Sequence, residues 1–538
     1  MKHFQHIYIF ISIIFFLSSC GFSTKKNKDH LVFRYNEAEN ITSLDPAFSR
    51  NIERVTACNQ LFSGLVQLDE KLNVLPDIAK NWTISKDLKT YTFNLKRNVF
   101  FHKNKAFKNY DQTRKVVAND FSYSLGRLID PKVASSGRWV MDEINSYTAV
   151  NDSTFQIQLK QPFPAFLSLL SMKYCSVIPK EAIDFYGNSF RKNPVGTGPF
   201  YFKAWEENVK LVFRKNLLYY EKDNKGTRLP YLEAVAITFL PDKQSEFLQF
   251  VQGNLDIMRS IDDSYKDELL TPMGTLQEHY KKSVILNKTP SLYSVYIGCY
   301  LDGDDNPLKN KDLRKAINYG FDRKAMITYL RNNIGIPAES GFIPKGLAGY
   351  NAQKGYTYQP KKARMHYENF LAKGKSITKK ITLSTVAEYV TLCEFIQREL
   401  QKIGINIQVE VLPAGNIRKM KRSGGFDLFR GSWIADYPDA ENFFIPFIKK
   451  NFAPNGSNYT HFYNKTFEKL YKNSFSIPDI NERKLIYEKL DSIIIEEAPV
   501  IPLFYEEAIR FDRKNIIGVP NNAQNFLYLK TVKKLKVN

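Results

Sequence analysis

Arg430, Trp433 and Asp436 stand at three-residue intervals in the stretch Asp427-Leu428-Phe429-Arg430-Gly431-Ser432-Trp433-Ile434-Ala435-Asp436-Tyr437. A guanidinium and a carboxylate on either side of a large aromatic can hold a molecule with opposite charges at its ends. The carboxylate takes an ammonium, the guanidinium takes a carboxylate, and the ring covers apolar surface between them. A solvated ion pair beside an ordinary core tryptophan is the other reading of the same residues. The apolar approach from Phe426 to Phe429 predicts a short strand that breaks at Gly431-Ser432. Both charges would then sit where a strand opens into a loop, which is where ligands are commonly met.

The surrounding elements follow from periodicity. Lys380 to Thr385 reads as a strand, Tyr389 to Ile403 as an amphipathic helix closed by Gly404, and Ile405 to Leu412 as an alternating strand. This strand, helix, strand unit leads into the charged stretch as its next strand. Asp312 is expected to cap a helix ended by Gly320, Asp322 begins another reaching about Leu330, and Arg483 to Glu497 is a further helix. Val500 to Tyr505 reads as a strand that returns to the first part of the chain.

That first part starts with a strand from Leu31 to Tyr35 and a helical pattern from Glu53 to Leu65. From about residue 66 to 185 the character changes. Trp82 to Ile84 and Thr90 to Leu95 alternate around a turn at Asp87, Tyr147 to Val150 and Phe155 to Leu159 alternate around Asn151-Asp152, and Asn119 or Asp120 caps a helix between the hairpins. This is a small sheet-rich insertion. Gly196-Thr197-Gly198 is bracketed by prolines and followed by a strand, not a helix, so it reads as a turn and not as a phosphate cradle. Strands at Tyr201 to Trp205, Val209 to Arg214 and Val235 to Leu240, then a helix from Gln244 to Gln252 closed by Gly253, return the chain to its first α/β unit.

Lys2, the apolar run from Ile7 to Leu17 and the small residues before Cys20 form an export signal. Eleven residues are too few to cross a bilayer, which needs roughly 20. Gly21 to Asp29 is small, polar and basic, a flexible tether. The 519 residues from Cys20 onward exceed one hydrophobic core, so two or three domains are expected. The net charge of +22 is spread through every segment without a dense basic run, which describes a lysine-rich solvated surface and not a nucleic-acid site. Cys58, Cys175, Cys299 and Cys393 are widely spaced; export permits disulfides, three pairings exist, and buried free thiols satisfy the pattern equally. The seven histidines form no cluster with metal-ligand spacing, and no metal or cofactor is expected. There is no His-Glu-x-x-His, Gly-x-Ser-x-Gly or Walker loop.

Ordered landmarks then accumulate. They are Ser43-Leu44-Asp45-Pro46, Gln60 to Leu65, Leu75-Pro76-Asp77-Ile78-Ala79 with Trp82, Tyr91 to Leu95, Ala118-Asn119-Asp120, Pro194 to Phe200, Leu313 to Ile317 with Asp322-Arg323, Trp433-Ile434-Ala435-Asp436-Tyr437, and Glu497 to Leu503. Together they resemble the solute-binding lipoproteins of bacterial peptide ABC importers, the oligopeptide- and dipeptide-binding class, over nearly the whole mature chain. Departures are Ser63 for a glutamate, Ala440 for a proline, and His102-Lys103-Asn104-Lys105 followed by a polar insertion.

The resemblance implies an α/β, two-lobed periplasmic-binding fold of type II with an extra small α+β domain inserted in lobe I. The segmentation becomes 1–19 signal peptide, 20–29 tether, 30–65 lobe I, 66–185 insertion, 186–285 lobe I, 286–498 lobe II and 499–538 the return to lobe I. It implies Cys20 as the lipidated first residue of the mature protein, Asp436 as the anchor of a peptide ammonium, and Arg430 as a contact for the peptide carboxylate. Trp433 and Tyr437 are candidates to line the pocket. The expected partners are short peptides, a permease with its ATPase subunits and the membrane, through the lipid; no nucleic acid is expected, nor a second copy. The rival readings are the same fold binding a nickel chelate, haem, glutathione or a sugar, an exported enzyme, and an adhesin.

Overall fold

The computed structural model describes residues 31–262, 265–352, 355–374 and 380–536. The signal peptide at 1–19, Cys20 and the tether at 20–29 lie outside the described residues. The chain folds as two lobes around three main sheets. In the first lobe Val32–Asn36 lies parallel to Ala234–Thr238, which runs antiparallel to Lys210–Lys215, itself paired with Phe200–Glu206. The expected helix after the first strand is shorter than its apolar spacing suggests, Ile52–Leu61. Phe62 is already extended, because the next residues turn back and the Gly64 amide donates to the Asp77 carboxylate at 3.1 Å. Gly198 takes its place in the expected turn for a packing reason: a Cβ there would stand 2.5 Å from the carbonyl carbon of Leu61.

The two expected hairpins of the insertion merge into one sheet in the order Ala79–Ile84, Thr90–Leu95, Thr154–Leu159, Ile144–Asn151. Phe93 and Phe155 face each other across the inner pair, and Phe121 of the helix Ala118–Ile129 packs on Phe155. Neither Asn119 nor Asp120 is the cap of that helix. Asp120 lies inside the first turn and reaches back to accept from the Val117 amide at 2.9 Å, while Arg114 grips its two oxygens. Similarly, the cap of the helix Lys311–Tyr319 is Asn310, not Asp312; Asp312 instead holds Lys373 and His366. Asp322 does cap the following helix.

The largest sheet belongs to both lobes. Its order is Ile257–Met258, Val500–Arg513, Val284–Cys299, Leu428–Ile434, Ile381–Thr385, Ile407–Val411. The expected strand, helix, strand unit is there as Ile381–Thr385, Val390–Gln401 and Ile407–Val411, with the two strands parallel. Two long antiparallel strands run through the centre of the sheet. One end of the pair, Val284 against Arg513, is beside Ile257–Met258, and the other end, Gly298 against Val500, is beside the charged strand. The ladder is interrupted between Pro290 and Ser294, as a residue without an amide proton demands.

Cys58, Cys175, Cys299 and Cys393 are free thiols, each buried. Burial pushes the first three up to about 12 and Cys393 to about 11, so thiolate is scarce at neutral pH. The native protein is therefore expected to react negligibly with an aromatic disulfide reagent, and all four thiols are expected to titrate after unfolding in denaturant. Fast labelling of the folded chain at any of the four positions would contradict this burial.

Candidate functional site

Arg430 is not where the sequence reading put it. The strand does not break at Gly431-Ser432; it runs through both to Ile434. The neighbouring long strand pairs with it residue by residue, from Cys299 opposite Leu428 to Tyr293 opposite Ile434. Gly431 makes this fit, since a Cβ there would stand 2.8 Å from the Tyr296 ring. Arg430 therefore sits mid-strand and half-buried, with its guanidinium 3.4 Å from the centre of the Tyr389 ring. Its Nε and Nη2 are buried without hydrogen-bonding partners among the described residues. A guanidinium stacked on a ring with two idle donors is shaped for a carboxylate.

Asp436 lies two residues past the strand end. Its carboxylate makes no hydrogen bond or ion pair with another described residue. It opens onto a cavity otherwise walled by the first lobe and its insertion: Val55 and Asn59 from the helix, Lys173 and Tyr174 from the insertion, and Gln524, Phe526 and Tyr528 from the C-terminal return. The side chain stays accessible through this cavity while its walls strip away part of its hydration, and that desolvation raises its pKa. With a strand rise of about 3.3 Å per residue, the six positions between Arg430 and Asp436 correspond to roughly 20 Å of extended chain. Flexible side chains can shorten that reach.

The two aromatics of the stretch do packing work. Trp433 is half-buried and donates its ring N–H to Asn442 Oδ1 at 3.0 Å. Tyr437 is 4 % exposed, is packed edge-on against Phe163 of the insertion, and donates its hydroxyl to Glu441 at 2.5 Å. It joins the lobes instead of lining the cavity, because alternation past the strand end turns it away from Asp436.

A model of the bacterial extracellular solute-binding proteins, family 5 (middle region), matches residues 73–455. The chain belongs to this family. It is 26% identical over 470 residues to the dipeptide-binding protein of Escherichia coli K12, covering 83% of each chain. It is also 26% identical over 511 residues to the glutathione-binding protein GsiB of that strain, covering 93% of each. Among solved structures, HbpA2 from Haemophilus parasuis superposes with a TM-score of 0.83 at 23% identity, over 94% of this chain and all of that one. DppA from Helicobacter pylori, in complex with the peptide STSA, gives 0.74 at 24% identity, over 94% and 98%. These likenesses establish the two-lobed fold of a family 5 binding protein.

Within this family 5 chain, sequence reasoning missed Lys421. It is half-buried near Arg430, with its ammonium 4.8 Å from the centre of the Phe429 ring, and burial together with the Arg430 charge pulls its pKa down to about 8. The helix that carries it, Ala414–Ser423, is too polar for periodicity to reveal. Two further carboxylates next to Asp436 are consumed locally: Asp439 accepts from Tyr487 at 2.9 Å, and Glu441 accepts from Tyr437 and Tyr471.

Glu441 carries a pH signature. Burial raises its pKa from 4.5 to about 7. Between those values the unfolded chain releases a proton that the folded chain keeps, so this group makes stability fall as pH rises from about 4.5 to about 7. Glu441→Gln keeps the shape, its oxygen accepting from one tyrosine and its amide N–H donating to the hydroxyl oxygen of the other, and is expected to flatten the fall in that window, as followed by thermal melts at stepped pH. An unchanged profile would show that Glu441 titrates normally.

Proposed function

We propose that this family 5 protein captures short peptides between its lobes and delivers them to a membrane permease, with Asp436 holding the α-ammonium and Arg430 contacting the carboxylate. The observation that carries this reading is the unpaired Asp436 carboxylate, contributed by the second lobe and facing a cavity walled by the first. Such a group cannot stay unpaired in a closed cleft without cost, and a free ammonium is its natural complement. Main-chain hydrogen bonding along an extended ligand supplies affinity that does not depend on side-chain identity. The peptide and dipeptide ligands named for the relatives agree with this, and retention of an acidic anchor favours an amine-bearing guest over a haem or a sugar.

Export on the leader and lipid attachment at Cys20 place the body outside the cytoplasmic membrane, tethered by 20–29, as a monomer. No helix among the described residues is long and apolar enough to cross a membrane. The lobes take the segments 30–65, 186–285 and 499–538 for the first, with 66–185 inserted, and 286–498 for the second. The two paired crossing strands serve as the hinge, bending where the ladder is interrupted near Pro290. The reading assigns no catalysis and no nucleotide site to this chain, so transport energy comes from partner ATPase subunits.

Mass spectrometry of small molecules released from the purified mature protein tests the ligand class. Short peptides with free amino ends are expected. Recovery of a metal chelate, haem or sugar instead would overturn the proposal.

A further inference from the structure

The cavity in front of Asp436 presents two more polar side chains that a bare peptide backbone leaves unused. Asn59 is 7 % exposed, and neither its Oδ1 nor its Nδ2 has a hydrogen-bonding partner among the described residues. Buried amides are nearly always paired, so an idle one on a cavity wall marks a place for a guest. Lys173, half-buried in the turn Lys173–Cys175, lines the same cavity, and its ammonium makes no hydrogen bond or ion pair with a described residue. Burial lowers its pKa, opposed by the charge of Asp77. Asp77 balances that charge from a distance without a direct ion pair, and its carboxylate oxygens accept from the Gly64 amide at 3.1 Å and from the Tyr220 hydroxyl. The neighbouring cation, Lys530, is already paired with Glu221 at 2.6 Å. Among the described residues Lys173 is thus an ammonium without a direct partner, and Asn59 a donor and acceptor without one, across the cavity from the carboxylate of Asp436.

We propose that Asn59 and Lys173 form an anion subsite in the first lobe, and that the preferred ligand carries a carboxylate on the same residue that bears its free ammonium. The proposal rests on the assignment of Asp436 to that ammonium. One terminal residue with both charges satisfies the whole wall: its ammonium meets Asp436 and the Asn59 carbonyl oxygen, and its carboxylate meets Lys173 and the Asn59 amide N–H. Two linkages supply this chemistry. An α-linked glutamyl residue offers its side-chain carboxylate, whereas a γ-linked glutamyl residue offers ammonium and carboxylate on a single carbon. A neutral first residue would leave Lys173 unpaired inside the closed cleft, at a cost in affinity.

Calorimetry of the mature chain against Glu-Ala-Gly, γ-Glu-Ala-Gly, Gln-Ala-Gly and Ala-Ala-Gly tests this. The neutral peptides are expected to bind, and at least one acidic head is expected to bind about tenfold or more tightly than its glutamine isostere. The tighter of the two acidic heads identifies the linkage. In Lys173→Met that advantage is expected to vanish, and Gln-Ala-Gly is expected to bind at least as tightly as it does to the wild-type chain, since no unpaired ammonium is then enclosed. Equal binding of acidic and neutral heads by the wild-type chain, or an advantage that survives Lys173→Met, overturns the anion subsite alone. If the variant does not fold, the wild-type comparison decides by itself. Failure of all four peptides to bind overturns the peptide reading and this inference with it.

Discussion

Asp436→Ala is expected to weaken peptide binding by about 3 to 5 kcal/mol, roughly a hundredfold to a few thousandfold. The size follows from what closure does. The open cavity already raises the Asp436 pKa through desolvation. Bringing in an ammonium and excluding water turns that partly solvated carboxylate into half of a buried ion pair. Removing the carboxylate strands the ammonium in the same enclosure, and an uncompensated buried charge is what makes such truncations expensive. Asp436→Asn, which keeps an acceptor but no charge, should recover only part of the loss. Because the Asp436 pKa is raised, peptide affinity should also decline as acidification protonates the group. Calorimetry on both variants checks this, and wild-type affinity in the alanine variant would remove Asp436 from the site.

Arg323→Ala is expected to destabilise the fold by about 3 to 5 kcal/mol, through loss of charged hydrogen bonds and the cavity left behind. Arg323 is 0 % exposed, and its guanidinium donates to the Pro502 carbonyl at 2.6 Å, to the Asn318 carbonyl at 2.9 Å and to Asn318 Oδ1 at 3.2 Å, while lying over the Phe321 ring. Among the described residues no carboxylate hydrogen-bonds to it, and burial lowers its pKa to about 10, which still leaves it charged at neutral pH. These bonds anchor the crossing strand Val500–Arg513 to the second lobe just where it leaves the helix before it. Arg314 does the same one step earlier, donating to the carbonyls of Glu497 and Ala498. Arg323→Lys should rescue little, since a single ammonium cannot reproduce the fork. Denaturant unfolding monitored in the second lobe checks this; a loss below about 1 kcal/mol would show that the strand is held by its ladder alone.

Much of the architecture was readable because it is local. Alternation marked the insertion's hairpins, and the apolar spacing of Leu392, Cys393, Ile396 and Leu400 marked the helix between two parallel strands. What escaped were features whose signal lies in another segment. The strand Val284–Cys299 has too many polar residues in its first half to alternate cleanly, and it exists because Val500–Arg513 pairs along its length. The same long-range pairing carried the charged strand through Gly431-Ser432, where glycine and serine by themselves argue for a break. The helix caps were misplaced by two or three residues: Asp312 faces Lys373 from a distant helix, and Asp120 is drawn to Arg114 just upstream and back to the Val117 amide.

By itself the sequence determined the family, the two-lobed α/β plan and the acidic residue at the end of the charged strand, because ordered motifs and hydrophobic periods are properties of neighbouring residues. Only the tertiary structure decided which charges remain free. Asp439, Glu441 and Asp436 lie within six positions of one another and look alike in the chain. Two are occupied by tyrosines from other turns and helices and one is not, since pairing depends on which side chains the fold brings within about 3 Å and not on spacing along the backbone. Asn59 and Lys173, more than a hundred residues apart, come to share the wall opposite that remaining carboxylate for the same reason.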